Sequence, residues 1–419
     1  MASQSALNIG QDMAGLESCR TDFAILQQKM NGKRLSFLDS AASAQKPMAV
    51  IKAMDDVMLH GYANIHRGLY RFSQDLTLRY EGVREQVARY IGAASEKEIV
   101  FTGNATDSIN LVAQSYGRAN LKAGDEVILS EMEHHANIVP WQLLREQIGI
   151  KIKVIPITDD GALDMQVYAS LLTEKTRFVS IVHMSNALGT INPVKDIITK
   201  AKAHNPDIKV LVDGSQSAVH SHINVQDLGC DFFVFTGHKL YCAPGLGVLY
   251  GRYDVLNSMP PYRGGGDMIE SVSFDRSTYK DPPFRFEAGT PPIVSVIGLG
   301  AAIDYVNAIG LDAIKRHEYD LMQKMTAGLK SMGDIDIYAD IADKGGIVSF
   351  NIHGVHASDV GTILDQCGVA VRTGHHCCMP LMSKLGIDGC VRASFALYNN
   401  VDDIDQCIEG LYKAKEMLL

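Results

Sequence analysis

The chain has 419 residues, 46% hydrophobic and 21% charged, with a formal net charge of −9; this is the make-up of an ordinary globular protein, long enough for two domains. An acidic chain with no lysine- or arginine-rich run is unsuited to nucleic acid or to an anionic membrane surface, and no apolar run reaches the ~20 residues that cross a bilayer. The polar stretch 1–11 has no leader pattern and the eight cysteines contain no C-x-x-C pair, so free thiols in a reducing, cytoplasmic setting are expected.

In chain order, residues 1–30 are expected to form an N-terminal segment packing on a small domain, 31–295 a large domain and 296–419 the small C-terminal one. Leu76, Tyr80, Val83, Val87 and Ile91 fall on one face of a helix. From about residue 97 to 251 strand-like runs alternate with helical ones. The strands are 99–102, 127–130, 152–157, 178–183, 209–213, 232–236 and 247–250. Ile109, Val112, Ala113 and Tyr116 make one intervening helical stripe, and Val194, Ile197, Ile198 and Ala201 another. Near-continuous Val/Ile/Leu strands separated by helices predict an α/β fold with a mainly parallel seven-stranded sheet covered on both faces. Residues 260–292 carry Pro260, Pro261, Pro282, Pro283, Pro291, Pro292 and the run Gly264-Gly265-Gly266, and read as a long irregular connector. A helix over 293–309 follows. A smaller α/β unit then has a helix near 312–331, strands at 347–352, 369–372 and 391–395, and a closing helix near 402–418.

Two strand ends carry chemistry. The run Asp231-Phe232-Phe233-Val234-Phe235-Thr236 is followed at once by Gly237-His238-Lys239, and Lys209-Val210-Leu211-Val212 ends in Asp213. A lysine and a carboxylate at two strand ends of one sheet suit pyridoxal phosphate, the lysine as its Schiff-base amine and the aspartate on its pyridine nitrogen. Taken alone, the lysine reads as solvated and the aspartate as a helix N-cap. Their joint placement favours the cofactor, because Phe101-Thr102-Gly103-Asn104-Ala105-Thr106 supplies a strand-to-helix turn suited to a phosphate. Thr106, Thr236 and His238 offer further donors there. Glu133-His134-His135-Ala136-Asn137 also follows a strand, so an imidazole there can stack on a flat ring; adjacent histidines point different ways, which leaves one for a structural role.

The segment Arg372-Thr373-Gly374-His375-His376-Cys377-Cys378-Met379-Pro380 is a loop with two imidazoles and two thiols beside an arginine. Cationic neighbours raise a thiol's thiolate fraction and make it a better nucleophile. Contiguous His-His-Cys-Cys lacks the spacing of structural zinc sites, so no metal is expected. The other cysteines sit in apolar contexts and read as inert. Arg392, on or beside a late strand, is a fork suited to a carboxylate.

On these residues the chain resembles the group II cysteine desulfurases of the class V aminotransferase family, fold-type I enzymes that use pyridoxal phosphate and stand close to selenocysteine lyases. The resemblance runs nearly end to end, through Leu38-Asp39-Ser40-Ala41-Ala42-Ser43-Ala44-Gln45-Lys46-Pro47, Asn64-Ile65-His66-Arg67-Gly68, Glu133-His134-His135-Ala136-Asn137, Ser185-Asn186-Ala187-Leu188-Gly189, Asp213-Gly214-Ser215-Gln216, Gly237-His238-Lys239, Arg285-Phe286-Glu287-Ala288-Gly289-Thr290-Pro291 and Arg372-Thr373-Gly374-His375-His376-Cys377. The resemblance implies that Lys239 and Asp213 serve the cofactor as above, that Gln216 meets its ring hydroxyl and that His134 stacks on the ring. It implies that Thr106, Thr236 and His238 hold the phosphate, with Thr290 reaching across a homodimer interface. Asn186 and Arg392 would place the substrate carboxylate, with His66 and Arg372 also on the substrate side. Cys377 would accept the sulfur of L-cysteine as a persulfide, for transfer to an acceptor protein in iron–sulfur cluster assembly. L-selenocysteine is the alternative substrate. Two positions depart from the family pattern: Cys242 stands where glycine is usual and Gly103 where arginine is common. Gly298-Leu299-Gly300 lies in an apolar helix rather than after a strand and lacks a third glycine, so it is no dinucleotide fingerprint.

Overall fold

In a computed structural model, which describes Leu16 and residues 18–419, the seven expected strands form one sheet. They are β1 (Ile99–Thr102), β2 (Glu126–Ser130), β3 (Lys151–Ile155), β4 (Thr176–Val182), β5 (Lys209–Asp213), β6 (Phe232–Thr236) and β7 (Gly247–Gly251). Their spatial order is β1-β7-β6-β5-β4-β2-β3. All run parallel except β7, which lies antiparallel between β6 and β1. Chain length explains the reversal. Only residues 237–246 separate β6 from β7, fewer than the roughly dozen that a parallel crossover needs. Every residue of β1, β2, β6 and β7 is buried, as expected of a sheet covered on both faces. Because β1, β2, β4, β5 and β6 point the same way, the residues that follow them gather at one edge, where open α/β sheets hold their ligands.

A second sheet is wholly antiparallel, in the order Ile335–Tyr338, Ile347–Ile352, Cys390–Ser394, Arg372–Gly374. Helices Leu311–Met332, Ala357–Gln366 and Val401–Leu418 pack on it through Met325, Leu329, Val360, Leu364 and Leu411. Its first strand and the helix over 357–366 were not anticipated. The single strand expected over 369–372 is two: Val369–Ala370 pairs parallel with Ser36–Phe37, and Arg372–Gly374 joins the antiparallel sheet. The connector over 260–292 is less irregular than its prolines suggest, since Ile269–Val272 and Ser277–Tyr279 form a hairpin.

The helix Ile293–Ile309, expected to open the small unit, packs on helices Met48–Asp56 and Arg71–Tyr90, within the core of the larger sheet. Its glycines serve that contact. A Cβ on Gly298 would lie 2.8 Å from Met54 Sδ, and one on Gly300 2.7 Å from Val83 Cγ2. Of the expected N-terminal segment, residues 1–15 and 17 lie outside the described residues. Further along it, Arg20 donates to Asp403 at 3.0 Å and to Leu35 O at 2.8 Å. Phe23 meets the rings of Tyr241, Tyr305 and Tyr398 edge-on.

Arg84 ties the long connector to the sheet. It is 1% exposed, grips Glu287 through both terminal nitrogens at 2.6 and 2.9 Å, and donates to Glu81 and Ile99 O. Glu287 also accepts the Phe101 N–H at 2.7 Å. Removing one member of such a pair strands the other charge, at a cost of about 3–5 kcal/mol. Arg84→Ala is therefore expected to lower unfolding free energy by that amount in denaturant titrations. Arg71→Ala, at the exposed Arg71–Asp75 pair, is expected to change it by less than about 0.5 kcal/mol.

Candidate active site

A cavity of about 440 Å³ opens at the carboxyl edge of the large sheet. Its wall brings together Thr106, His134, Asn186, Asp213, Gln216, Thr236, His238, Lys239, Arg372, Cys377 and Arg392. His66 and Thr290 are the two predicted site residues absent from it. His66 sits instead in a left-handed turn, with Nε2 2.9 Å from Glu81 Oε1 and its ring against Tyr80 and Phe284. Within its own chain its ring is committed to the Glu81–Arg84 cluster. Thr290 is exposed.

Along the sheet edge, Asp213 closes β5. Its Oδ1 accepts from the Ser215 N–H and hydroxyl at 3.0 and 2.6 Å, which fixes the plane of the carboxylate. Only glycine fits at the next position, because a Cβ on Gly214 would lie 1.9 Å from Phe233 Cζ. Gln216 donates to Ala41 O at 2.8 Å, leaving its Oε1 buried without a partner. Burial pulls the Lys239 amine down to about 8; nearby Asp213 opposes the shift and Arg392 reinforces it. His134 accepts the Ala136 N–H at Nδ1, 3.0 Å away. Burial and the Lys239 charge pull its imidazole down to about 4, so near neutrality it is uncharged with its proton on Nε2.

Glu133 holds the His134 segment in place, a role that its place in the sequence motif does not reveal. It is fully buried and accepts from Ser130 Oγ, Asn137 Nδ2 and Val182 N at 2.6, 2.7 and 2.9 Å. Burial pushes its carboxyl up to about 8.

The phosphate-type turn joins β1 to the helix Ala105–Leu111, which continues through a π-helical stretch to Gly117. Asn104 caps the helix by accepting the Asp107 N–H at 2.8 Å. Gly247 lets β7 pass beneath, since a Cβ there would lie 2.2 Å from the Asn104 carbonyl carbon. The Thr236 hydroxyl donates to Leu246 O at 3.2 Å, and burial pulls the His238 imidazole down to about 4. Although position 103 is glycine, Arg263 reaches this turn from the long connector and pairs with Asp107. Cys242, the other departure, is buried with Sγ 3.2 Å from Ser295 O, a packing position on the helix 293–309.

The opposite wall comes from the antiparallel sheet, whose register sets Arg372 directly across from Arg392. Like charges so placed repel; Asp39 resolves the conflict. It takes Nε and Nη2 of Arg372 at 3.1 and 2.8 Å and Nη2 of Arg392 at 3.2 Å. Arg392 is buried, donates to Asn186 O at 2.8 Å and keeps Nε without a partner. Asp39 had no role in the sequence reading. Its partners lie more than 300 positions downstream, beyond any local pattern.

The loop beyond Arg372 sorts the two thiols. His376 and Cys377 both adopt left-handed backbone, with φ of 52° and 57°. Cys377 is exposed on the cavity wall. Cys378 is buried, its Sγ 3.3 Å from Asn186 Oδ1, and burial pushes its thiol up to about 12. Asn186 Nδ2 donates to His376 O at 2.8 Å, so this amide braces the loop from inside.

Comparison with known proteins agrees with this chemistry. Residues 36–407 match the family described as aminotransferase class-V. The chain is 51% identical over 404 residues to a cysteine desulfurase of Dickeya dadantii (strain 3937), covering 96% of this chain and 97% of that one. The crystal structure of the Escherichia coli cysteine desulfurase CsdA, in an S-sulfonic acid form, is 38% identical with a TM-score of 0.90, covering 97% and 99% of the two chains. An apo cysteine desulfurase from Thermococcus onnurineus NA1 is likewise 38% identical with a TM-score of 0.90, covering 100% and 99%.

The cofactor of that family is pyridoxal phosphate, and the wall fits it. Gln216 Oε1 is a buried polar atom that the protein leaves unpaired, Asp213 and Lys239 share the cavity, and a helix start suited to a phosphate completes it. An amine must be unprotonated to capture the cofactor. Apoprotein is therefore expected to take up pyridoxal phosphate at a rate that rises with pH and levels off above about 8, followed by the visible absorbance that borohydride traps on Lys239. A rate still climbing toward the ordinary lysine value of 10.5 would contradict the buried environment.

Proposed function

Because the chain belongs to the class-V aminotransferase family and is a pyridoxal-phosphate-dependent cysteine desulfurase, we propose that it converts L-cysteine to L-alanine through a persulfide on Cys377, as a group II enzyme. The observation that carries this reading is the sorting of the thiols. Cys377 is exposed in the cavity that Lys239 also lines, while Cys378 is buried. When bound, the cofactor supplies an electron sink that makes the substrate Cα–H acidic and its Cβ–S bond breakable.

Lys239, its amine lowered to about 8, takes the α-proton and returns it along the path to product. Arg392 meets the substrate carboxylate through the Nε that the protein leaves unpaired, with Asp39 and Asn186 O fixing its other nitrogens. Arg372 adds positive charge on the same wall, and Asn186 sets the loop beside it. His134, neutral, would lie against the cofactor ring. Thr106, Thr236 and His238 would hold its phosphate. The Cys377 thiolate attacks the substrate sulfur. An S–S bond forms as the C–S bond breaks, and the bonding pair stays with carbon to give alanine after protonation.

A sulfur-acceptor protein then takes the outer sulfur from the exposed loop for iron–sulfur cluster assembly. All eight cysteines are free, which suits a reducing cytoplasm. Met58, Leu59, Leu69, Tyr70, Phe72 and Leu78 are exposed, and a second copy of the chain would cover them. In that homodimer Thr290 of the partner subunit would join the phosphate site. Cys377→Ala is expected to abolish alanine release from L-cysteine and persulfide labelling, and Cys378→Ala to leave both largely intact. Loss of activity in the second variant alone would overturn the assignment of the nucleophile.

A further inference from the structure

We propose that His135 is a positioning residue that clips the Cys377 loop into its reactive shape. The inference rests on the reading of Cys377 as the sulfur acceptor and goes beyond it to what aims the thiol. His135 is absent from the cavity wall, so it acts through the loop. Its backbone N–H donates to Cys377 O at 2.8 Å. Its ring Nε2 accepts the Met379 N–H at 3.0 Å. One residue thus brackets the Cys377-Cys378 dipeptide at both ends.

The bracket has something to hold. Two successive non-glycine residues, His376 and Cys377, are left-handed. Such backbone persists only where its surroundings impose it. Asn186 pins His376 O from the core side, and His375 Nδ1 accepts the Cys377 N–H at 3.1 Å. The outer fastening falls to His135, itself placed by a turn whose Asn137 is bound to buried Glu133. With both fastenings made, Cys378 turns inward and Cys377 turns to the cavity.

The side-chain fastening requires an unprotonated Nε2. The ionisable groups around His135 are His134 on its own segment and His375 and Cys377 on the loop. Burial and the neighbouring His375 hold the His135 imidazole below its usual value. The clip is therefore closed at neutral pH and opens only in acid.

The test uses holoenzyme of the wild type, His135→Ala, His135→Gln and Cys377→Ala. Glutamine places an amide oxygen where Nε2 lies and does not titrate. The readouts are kcat and KM for alanine release, and the pH profile of Cys377 alkylation by iodoacetamide, which needs no turnover. His135→Ala is expected to lower kcat roughly 10–100-fold, the scale of a reacting group misplaced by about 1 Å, with KM changed less than about twofold. Its cofactor absorbance and melting temperature should stay unchanged. His135→Gln is expected to recover most of kcat and to remove from the alkylation profile the acid change that the wild type shows. An alanine variant with wild-type kcat and alkylation profile would overturn the proposal, as would alanine and glutamine variants that fall alike. Full activity in Cys377→Ala would instead overturn the reading of the sulfur acceptor and leave the loop geometry standing.

Discussion

The site depends on one carboxylate. Asp39 stands between two guanidinium groups that strand register forces to face each other, Arg372 and Arg392. Without it the register would set two positive charges side by side, one of them buried, and burial alone already pulls the Arg392 guanidinium below its usual value. With it the pair becomes a fixed positive wall opposite Lys239. Asp39 also marks where three pieces of chain meet. The strand Ser36–Phe37 just before it pairs with Val369–Ala370, and Asp39 itself bridges to Ser394. Arg392 in turn donates to Asn186 O just past β4. The two sheets are thereby joined at the place where the chemistry needs both.

The thiol wall shows how backbone geometry distributes reactivity. Cys377 and Cys378 are adjacent in sequence, and composition gives no ground for choosing between them. The left-handed turn at 376–377 separates them, one toward the cavity and one into the core against Asn186. Burial then removes the second from consideration, because a thiol pushed up to about 12 carries almost no thiolate near neutrality.

What could be read in the sequence was what local order decides. Asp213 and Lys239 were legible because parallel strands end at one edge, so a residue just past an apolar run has a known destination. The strand-to-helix turn over 102–105 was legible for the same reason. Asp39, Glu133 and Arg263 were not. Each acts through partners set by tertiary packing, and a lone acid or arginine carries no signal of what it will meet. The break between Ala370 and Arg372 was hidden too. A continuous β-prone run does not say that its halves will pair with different sheets. The strand Ile335–Tyr338 is four residues long and mostly half-exposed, too short for a period of two to stand out. Gly298 and Gly300 were rightly set aside as a nucleotide motif, but their packing against Met54 and Val83 needed the structure.

The imidazoles complete the electrostatic picture. His134, His238 and His376 all line the cavity, and burial pulls them down to about 4, 4 and 3. Lys239 adds to the shift at His134 and His238, and Arg392 at His376. Above mildly acidic pH they therefore serve as neutral hydrogen-bond partners and add no charge. The fixed positive charges are the two arginines held by Asp39, where an amino acid carboxylate would lie. Burial brings the Lys239 amine down toward neutrality, with Asp213 as its counterweight. A cavity charged this way suits two anionic groups, a phosphate at the helix start and a carboxylate at the arginines. Between them stands the Lys239 amine, whose lowered position leaves a larger unprotonated fraction near neutrality than an ordinary lysine has.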